Sequence, residues 1–361
     1  MAVAVFRTDA SRTIGTGHAM RCLTLADALR QAGTACRFLC RELDGHLVET
    51  IRARGHGVTT LPAPAGHATH FDPPSPPHAA WLGVPWEQDA ADSIAGLQGE
   101  RPDWLVVDHY ALDARWESRL RPHCNRLFAI DDLADRPHDC DVLLDQNLGR
   151  RAADYAGKVP GSCDVLAGAA FALLRPAFAA ARAAGLERRK AGNLRQLLIA
   201  LGGVDKDNVT SDILAALQHA PLPEGCRIVV AMGAKAPWTA QVREAAARLP
   251  YETQVLLGTD AMAELMAASD LAIGAAGTMA WERCCVGLPT LTVIIAENQR
   301  AGAQALAASG ACMLLPLPLR ADQLAGMLDD VQAPGVLRAM QDAAAAITDG
   351  TGVQRVLARM T

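Results

Sequence analysis

The sequence predicts an α/β protein made of two doubly wound parallel-sheet domains. Short apolar or β-branched runs alternate with longer helical stretches along all 361 residues, the rhythm of β-α-β units. That length exceeds the roughly 100–200 residues of one ordinary domain. The rhythm also breaks at a polar, basic stretch, GLERRKAGN (185–193), and then restarts. The expected domains are therefore 1–184 and 185–361, facing a central cleft, with a ligand at the carboxyl ends of their strands.

The first block opens with a strand, AVAVF (2–6), followed by a loop and a helix over about 18–31. ACRFLC (35–40) is the second strand, backed by HLVETIRARG as a helix ending at Gly55, and GVTTL (57–61) is the third. Residues 62–85 are rich in proline, which blocks helix and removes donors, so they are expected to be a loop. Its His67, His70 and His78 lack the ordered spacing of a metal site, and a solvated loop is favoured. DWLVVD (103–108), RLFAIDD (126–132) and DVLLDQN (141–147) continue as strands. In the second block the strands are QLLIALGG (196–203), RIVVAMG (227–233), ETQVLLG (252–258), DLAIGAAG (270–277) and PTLTVII (289–295).

Composition narrows the function. Hydrophobic residues are 50% and aromatics 4% of the chain, so the cores are built from Ala, Leu and Val. Lys and Arg number 34 against 39 Asp and Glu, a net charge of −5, which removes the basic field that a nucleic-acid partner needs. No apolar run of about 18 residues signals a membrane span. MAVAVFRTDA meets a charge too soon for a secretory signal, and the cytosol is the expected compartment. The 10 cysteines form no CxxC pair and read as buried thiols, the vicinal Cys284-Cys285 as helix packing. Acidic charge and a two-domain form are compatible with a monomer.

Chemistry concentrates after the first strand, in RTDASRTIGTGHAMR. Gly15 and Gly17 flank Thr16 at a helix mouth, where free backbone N–H groups favour an anion. The third glycine of a dinucleotide fingerprint is missing. His18 follows directly: a helix start disfavours imidazolium, which suits a general base, although a capping contact fits equally well. In GAAGTMAWE, Gly274 and Gly277 lie between strand and helix, and Glu282 stands in that helix among apolar neighbours. Gly202 and Gly203 end a strand and either admit a ligand or form a tight turn. Asp131-Asp132 is a possible metal pair, for which a structural or sugar-contacting role is preferred.

The run Arg7-x-Asp9-x5-Gly15-x-Gly17-His18-x2-Arg21 resembles the start of the PseG-type family, UDP-2,4-diacetamido-2,4,6-trideoxy-β-L-altropyranose hydrolases of pseudaminic acid biosynthesis. VVDHYALD (106–113), AIDDLADRPHDCDVLLDQN (129–147), LGGVDKDN (201–208) and GAAGTMAWERCCVGLPTLTVIIAENQ (274–299) continue the resemblance in order. It implies a GT-B-like architecture akin to MurG, a small UDP-sugar substrate, and inverting hydrolysis without cofactor or metal.

It also implies roles. His18 is the general base, with Tyr110 contacting sugar or water. Asp9 braces the glycine loop through Arg7, or else orients His18 or the water. Gly15, Gly17, Arg21 and Asp108 line the substrate, and His109 is a weaker rival base. Gln146, Asn147 and Tyr155 either contact the N-acetyl groups or stabilise their loop. Gly202, Gly203, Gly277, Thr278 and Trp281 approach the nucleotide, Glu282 accepts both ribose hydroxyls, and Asn298 and Gln299 meet the donor. Two other readings use the same parts: a MurG-like UDP-sugar glycosyltransferase, and a nucleotide-sugar-binding protein without catalysis.

Overall fold

The structure is a computed structural model and describes residues 2–64 and 76–360. The chain forms two compact units. Unit 1 runs to Leu173 and resumes at Val353, and unit 2 is Leu174–Gly352.

Unit 1 holds seven strands: β1 (Val3–Thr8), β2 (Ala35–Arg41), β3 (Gly57–Leu61), β4 (Trp104–Asp108), β5 (Arg126–Ile130), β6 (Val142–Asp145) and β7 (Asp164–Ala167). All are parallel, in the order β3-β2-β1-β4-β5-β6-β7. A parallel sheet is covered on both faces, so its central strands read as apolar runs. Alternate residues of β1 supply opposite cores. Ala4 and Phe6 pack with Cys22, Leu25 and Leu29 of the helix Gly17–Gln31 (α1), whereas Val5 packs with Leu105, Trp116 and Leu127.

Unit 2 repeats the plan with β8 (Gln196–Ala200), β9 (Arg227–Met232), β10 (Thr253–Leu257), β11 (Leu271–Ala275), β12 (Thr290–Val293) and β13 (Cys312–Leu314). Their order is β10-β9-β8-β11-β12-β13, again parallel. In both sheets the order reverses once, between β1 and β4 and between β8 and β11. At such a point two loops leave the strand ends in opposite directions and open a crevice.

The domain boundary expected at 184/185 moves. The basic stretch 185–193 is no linker, because it completes the helix Pro176–Arg188 and the turn Arg189–Ala191. Arg189 is buried, with its guanidinium on the carbonyls of Ser269 (2.7 Å), Gly287 (3.0 Å) and Val286. Arg188 pairs with Asp270 at 2.9 Å. The helix Gly352–Met360 returns to unit 1, where Val353, Val356 and Met360 join the core of Phe6 and Phe128, and Trp104 Nε1 donates to the Met360 carbonyl at 3.0 Å. Strands β7 and β13 were not expected; each lies at a sheet edge and is only 4 or 3 residues long.

All ten cysteines are free and most are buried. No helix among the described residues is long and apolar enough to cross a membrane. Of the Pro/His-rich segment, His67 and His70 lie outside the described residues, while His78 precedes a turn at Ala79–Leu82.

Candidate active site

The first crevice is built by the loops after β1 and β4, whose ends pair directly, Thr8 beside Asp108. After β1, the Gly15 N–H closes a small turn onto the Ser11 carbonyl (2.8 Å), with Ser11 Oγ accepting from the Ile14 N–H (3.0 Å). Gly15 sits at φ +82°, where a side chain would be strained. The turn delivers the chain into α1 with His18 in its first turn. Arg21, three residues on, shares the same helix face.

His18 Nδ1 lies 2.6 Å from Asp108 Oδ1. Arg21 grips that carboxylate with both ends of its fork, Nε to Oδ2 at 2.6 Å and Nη2 to Oδ1 at 2.7 Å. Its Nη1 reaches Asp132 Oδ2 at 2.6 Å, and the Tyr110 hydroxyl donates to the same oxygen at 2.5 Å. The Tyr110 ring packs edge-on against His18, centroids 4.5 Å apart. Burial alone would raise the Asp108 pKa, yet the Arg21 guanidinium, then His18, hold it far below the usual carboxylate range. Asp108 is therefore ionised and can only accept. A neutral imidazole there would place its proton on Nδ1, toward Asp108, and leave the Nε2 lone pair open, as a base requires. Burial, then Asp132, push the Tyr110 phenol well above its ordinary value, so it stays protonated.

Asp9 pairs with Arg7 and does not orient His18. Both its oxygens are taken by Arg7 (2.7 and 2.8 Å), and Oδ1 also accepts the Arg41 backbone N–H at 2.7 Å. Arg7 and Arg41 converge in turn on buried Asp89 (2.6 and 2.7 Å), so this cluster ties β1 to β2 and to the helix Trp86–Gly96. His109 faces the same interior. Its Nδ1 accepts from the Ala111 N–H at 3.1 Å, Nε2 stands 3.5 Å from Asp9, and burial lowers its pKa to about 4. It is a neutral core histidine turned away from His18's carboxylate.

Gln146 is buried, with Oε1 accepting the Leu173 N–H at 3.1 Å. Asn147 Nδ2 links the Asp132 carbonyl (3.0 Å) to Asp145 Oδ1 (2.9 Å), and so steadies the carboxylate that Arg21 and Tyr110 share. The Tyr155 hydroxyl lies 2.9 Å from both Asp131 and Asp145. Asp131 is committed to Arg136 at 2.8 Å. Sequence reasoning placed Asp108 among substrate contacts and missed its hold on His18; the pairing of β1 with β4 is what joins them. It also missed Trp81, which stacks on Tyr110 with centroids 5.8 Å apart.

In unit 2 the crevice between β8 and β11 gathers the glycines. Gly202 adopts φ +102°, and a Cβ on Gly233 would overlap the Gly203 carbonyl, so the ends of β8 and β9 approach as only glycines allow. Asp205 then accepts the N–H groups of Val209 (3.0 Å) and Thr210 (2.9 Å), starting the helix Val209–Leu217. After β11 come Gly277 and Thr278, partly exposed, and the helix Met279–Cys285. Trp281 is buried at 4% exposure and serves the core rather than a surface. Glu282 is partly exposed; burial pushes its pKa up to about 7 against the pull of Arg175 and Arg283. Gln299 Oε1 accepts the Ile295 N–H at 3.3 Å, with its Nε2 beside Gly277, and Asn298 is exposed. Among the described residues no group of three or more His, Cys, Asp or Glu side chains is arranged around a cation.

Residues 205–355 match the glycosyltransferase family 28 C-terminal domain. The UDP-2,4-diacetamido-2,4,6-trideoxy-beta-L-altropyranose hydrolase of Campylobacter jejuni is 25% identical over 307 residues, 85% of this chain and 96% of that protein. The spore coat polysaccharide biosynthesis protein SpsG of Bacillus subtilis is 30% identical over 203 residues, 55% of this chain and 59% of that protein. MurG of Acinetobacter baumannii superposes with a TM-score of 0.70 at 15% identity, covering 100% of this chain and 99% of MurG. A UDP-GlcNAc 2-epimerase of Neisseria meningitidis gives 0.60 at 11%, covering 99% and 98%. The fold is thus GT-B-like, two Rossmann-type units in one chain.

Proposed function

We infer, from a chain that resembles the PseG-type hydrolase over 85% of its length, that it is an enzyme acting on a UDP-sugar and that its reaction is hydrolysis. The substrate we assign is a UDP-linked 2,4-diacetamido-2,4,6-trideoxy hexose, as in the name of the Campylobacter relative. The observation that carries the chemistry is the 2.6 Å contact of His18 Nδ1 with an Asp108 clamped by Arg21.

In this reading His18 Nε2 takes a proton from water as the water oxygen attacks the anomeric carbon. The bond from that carbon to the diphosphate oxygen breaks with inversion, its electron pair leaving on UDP. The proton on His18 then passes to solvent, and the products are free sugar and UDP. Asp108 fixes the tautomer and stabilises the imidazolium as it forms, as a buried carboxylate does for any catalytic histidine. UDP is a good leaving group, so the protein's main task is to position water and nucleotide. Tyr110, held as a donor on Asp132, keeps the imidazole plane fixed. We assign Gly277 and Thr278 to the diphosphate, Gln299 and Asn298 to the donor, and the Glu282 carboxylate to the vicinal ribose hydroxyls.

Glycosyl transfer is a second reading, favoured by the family 28 match over residues 205–355. Incubation with the UDP-sugar and no acceptor separates the two. Equimolar UDP and free sugar support hydrolysis, UDP release only after an acceptor is added supports transfer, and binding without turnover supports a sensor.

A further inference from the structure

With the nucleotide and the attacking water partnered in this way, the hexose ring still needs a surface to lie on. We propose that Trp81, with His78 behind it, is a platform for the apolar C–H and methyl face of a 6-deoxy hexose beside His18. The proposal rests on the hydrolase reading and adds the residues that select its sugar.

The turn Ala79–Leu82 is 3₁₀, a geometry that eclipses side chains three apart. His78 and Trp81 are so spaced, and their rings meet at 4.3 Å. Leu82 points the other way and is 1% exposed, in the core with Leu61 and Trp116, which anchors the turn. Gly83, at φ +74°, then redirects the chain into the helix Trp86–Gly96. Both rings rest on Tyr110, His78 at 5.5 Å and Trp81 at 5.8 Å with planes 27° apart, and Tyr110 in turn touches His18. A continuous aromatic path therefore runs from the imidazole to Trp81. Tyr110 within it is buried, whereas Trp81 and His78 stay partly exposed.

Burial lowers the His78 pKa, which favours the neutral ring. An indole face rewards C–H groups through dispersion and offers nothing to a hydroxyl. A methyl at C6 suits it, and a hydroxymethyl pressed there loses a hydrogen bond to water.

The test compares wild type, Trp81→Ala and Trp81→Phe on the 2,4-diacetamido-2,4,6-trideoxy UDP-sugar and on a 6-hydroxy UDP-N-acetylhexosamine. We expect Trp81→Ala to raise KM for the 6-deoxy substrate roughly tenfold, narrow its preference over the 6-hydroxy sugar, and leave product inhibition by UDP unchanged. Trp81→Phe should restore most of the difference. An unchanged KM, or an equal loss in KM and UDP inhibition, overturns the platform. If wild type releases no UDP, hydrolysis itself fails, and the comparison is made by calorimetry. A Trp81-dependent loss of affinity for the intact 6-deoxy UDP-sugar but not for UDP then sustains the platform, and equal losses overturn it.

Discussion

Asp108 has four donors on two oxygens, His18, both arms of Arg21 and the Cys22 thiol. Changing it to Asn keeps the shape but lets an amide donate, so the imidazole proton moves to the wrong nitrogen. Turnover of Asp108→Asn is expected to fall about 10²–10⁴-fold, with UDP affinity by calorimetry nearly unchanged. His18→Asn should abolish turnover with the same retention of UDP binding; wild-type kcat in either variant removes the base assignment. Glu282 offers a pH test. With its pKa at about 7, the carboxylate that two ribose hydroxyls require is lost as pH drops. Uridine, whose diol is present without titrating phosphates, should therefore bind more weakly as pH falls through 7, and Glu282→Gln should flatten that dependence. At this scale the sequence was only half legible. His18, Arg21 and Tyr110 stand in a motif, and the structure brings them together. Asp9 and His109 have the same chemical credentials but belong to a buried charge cluster, because a carboxylate's partner is decided by which strands pair rather than by residue type.

Among elements, most strands announce themselves as apolar or β-branched runs, and their expected positions agree with β1 to β6 and β8 to β12. The edge strands β7 and β13 carry no such run: β7 opens on Asp164 and is only partly buried, which reads as loop, and β13 has three residues. The basic stretch 185–193 misled for a related reason. Arg189 is a buried clamp on five carbonyl groups, and composition alone cannot distinguish that from a solvated linker. The mouth of unit 2 depends on contact between the Gly203 and Gly233 backbones. Gly233→Ala must push β8 and β9 apart, costing about 1–3 kcal/mol. Urea melts should show that loss, and UDP affinity should weaken with it. A variant as stable as wild type would mean the strand ends separate freely.

At the scale of the whole molecule, the two-unit α/β plan followed from length and rhythm, while the return of the last helix did not, since nothing local marks Gly352–Met360 as belonging to β1 and β4. Val356 is fully buried against that sheet. Val356→Ala is expected to cost about 1–3 kcal/mol. Hydrogen exchange should locate the loss of protection in β1 and in β4, far earlier in the chain (Trp104 and Met360 are 256 apart), and not in β8 or β11. Loss confined to unit 2 would contradict the assignment of that helix. The same helix sets an order of events during translation. Every residue of unit 2 is synthesised before Val353, so the half that carries the proposed base lacks the Val353, Val356 and Met360 share of its core until unit 2 has been made.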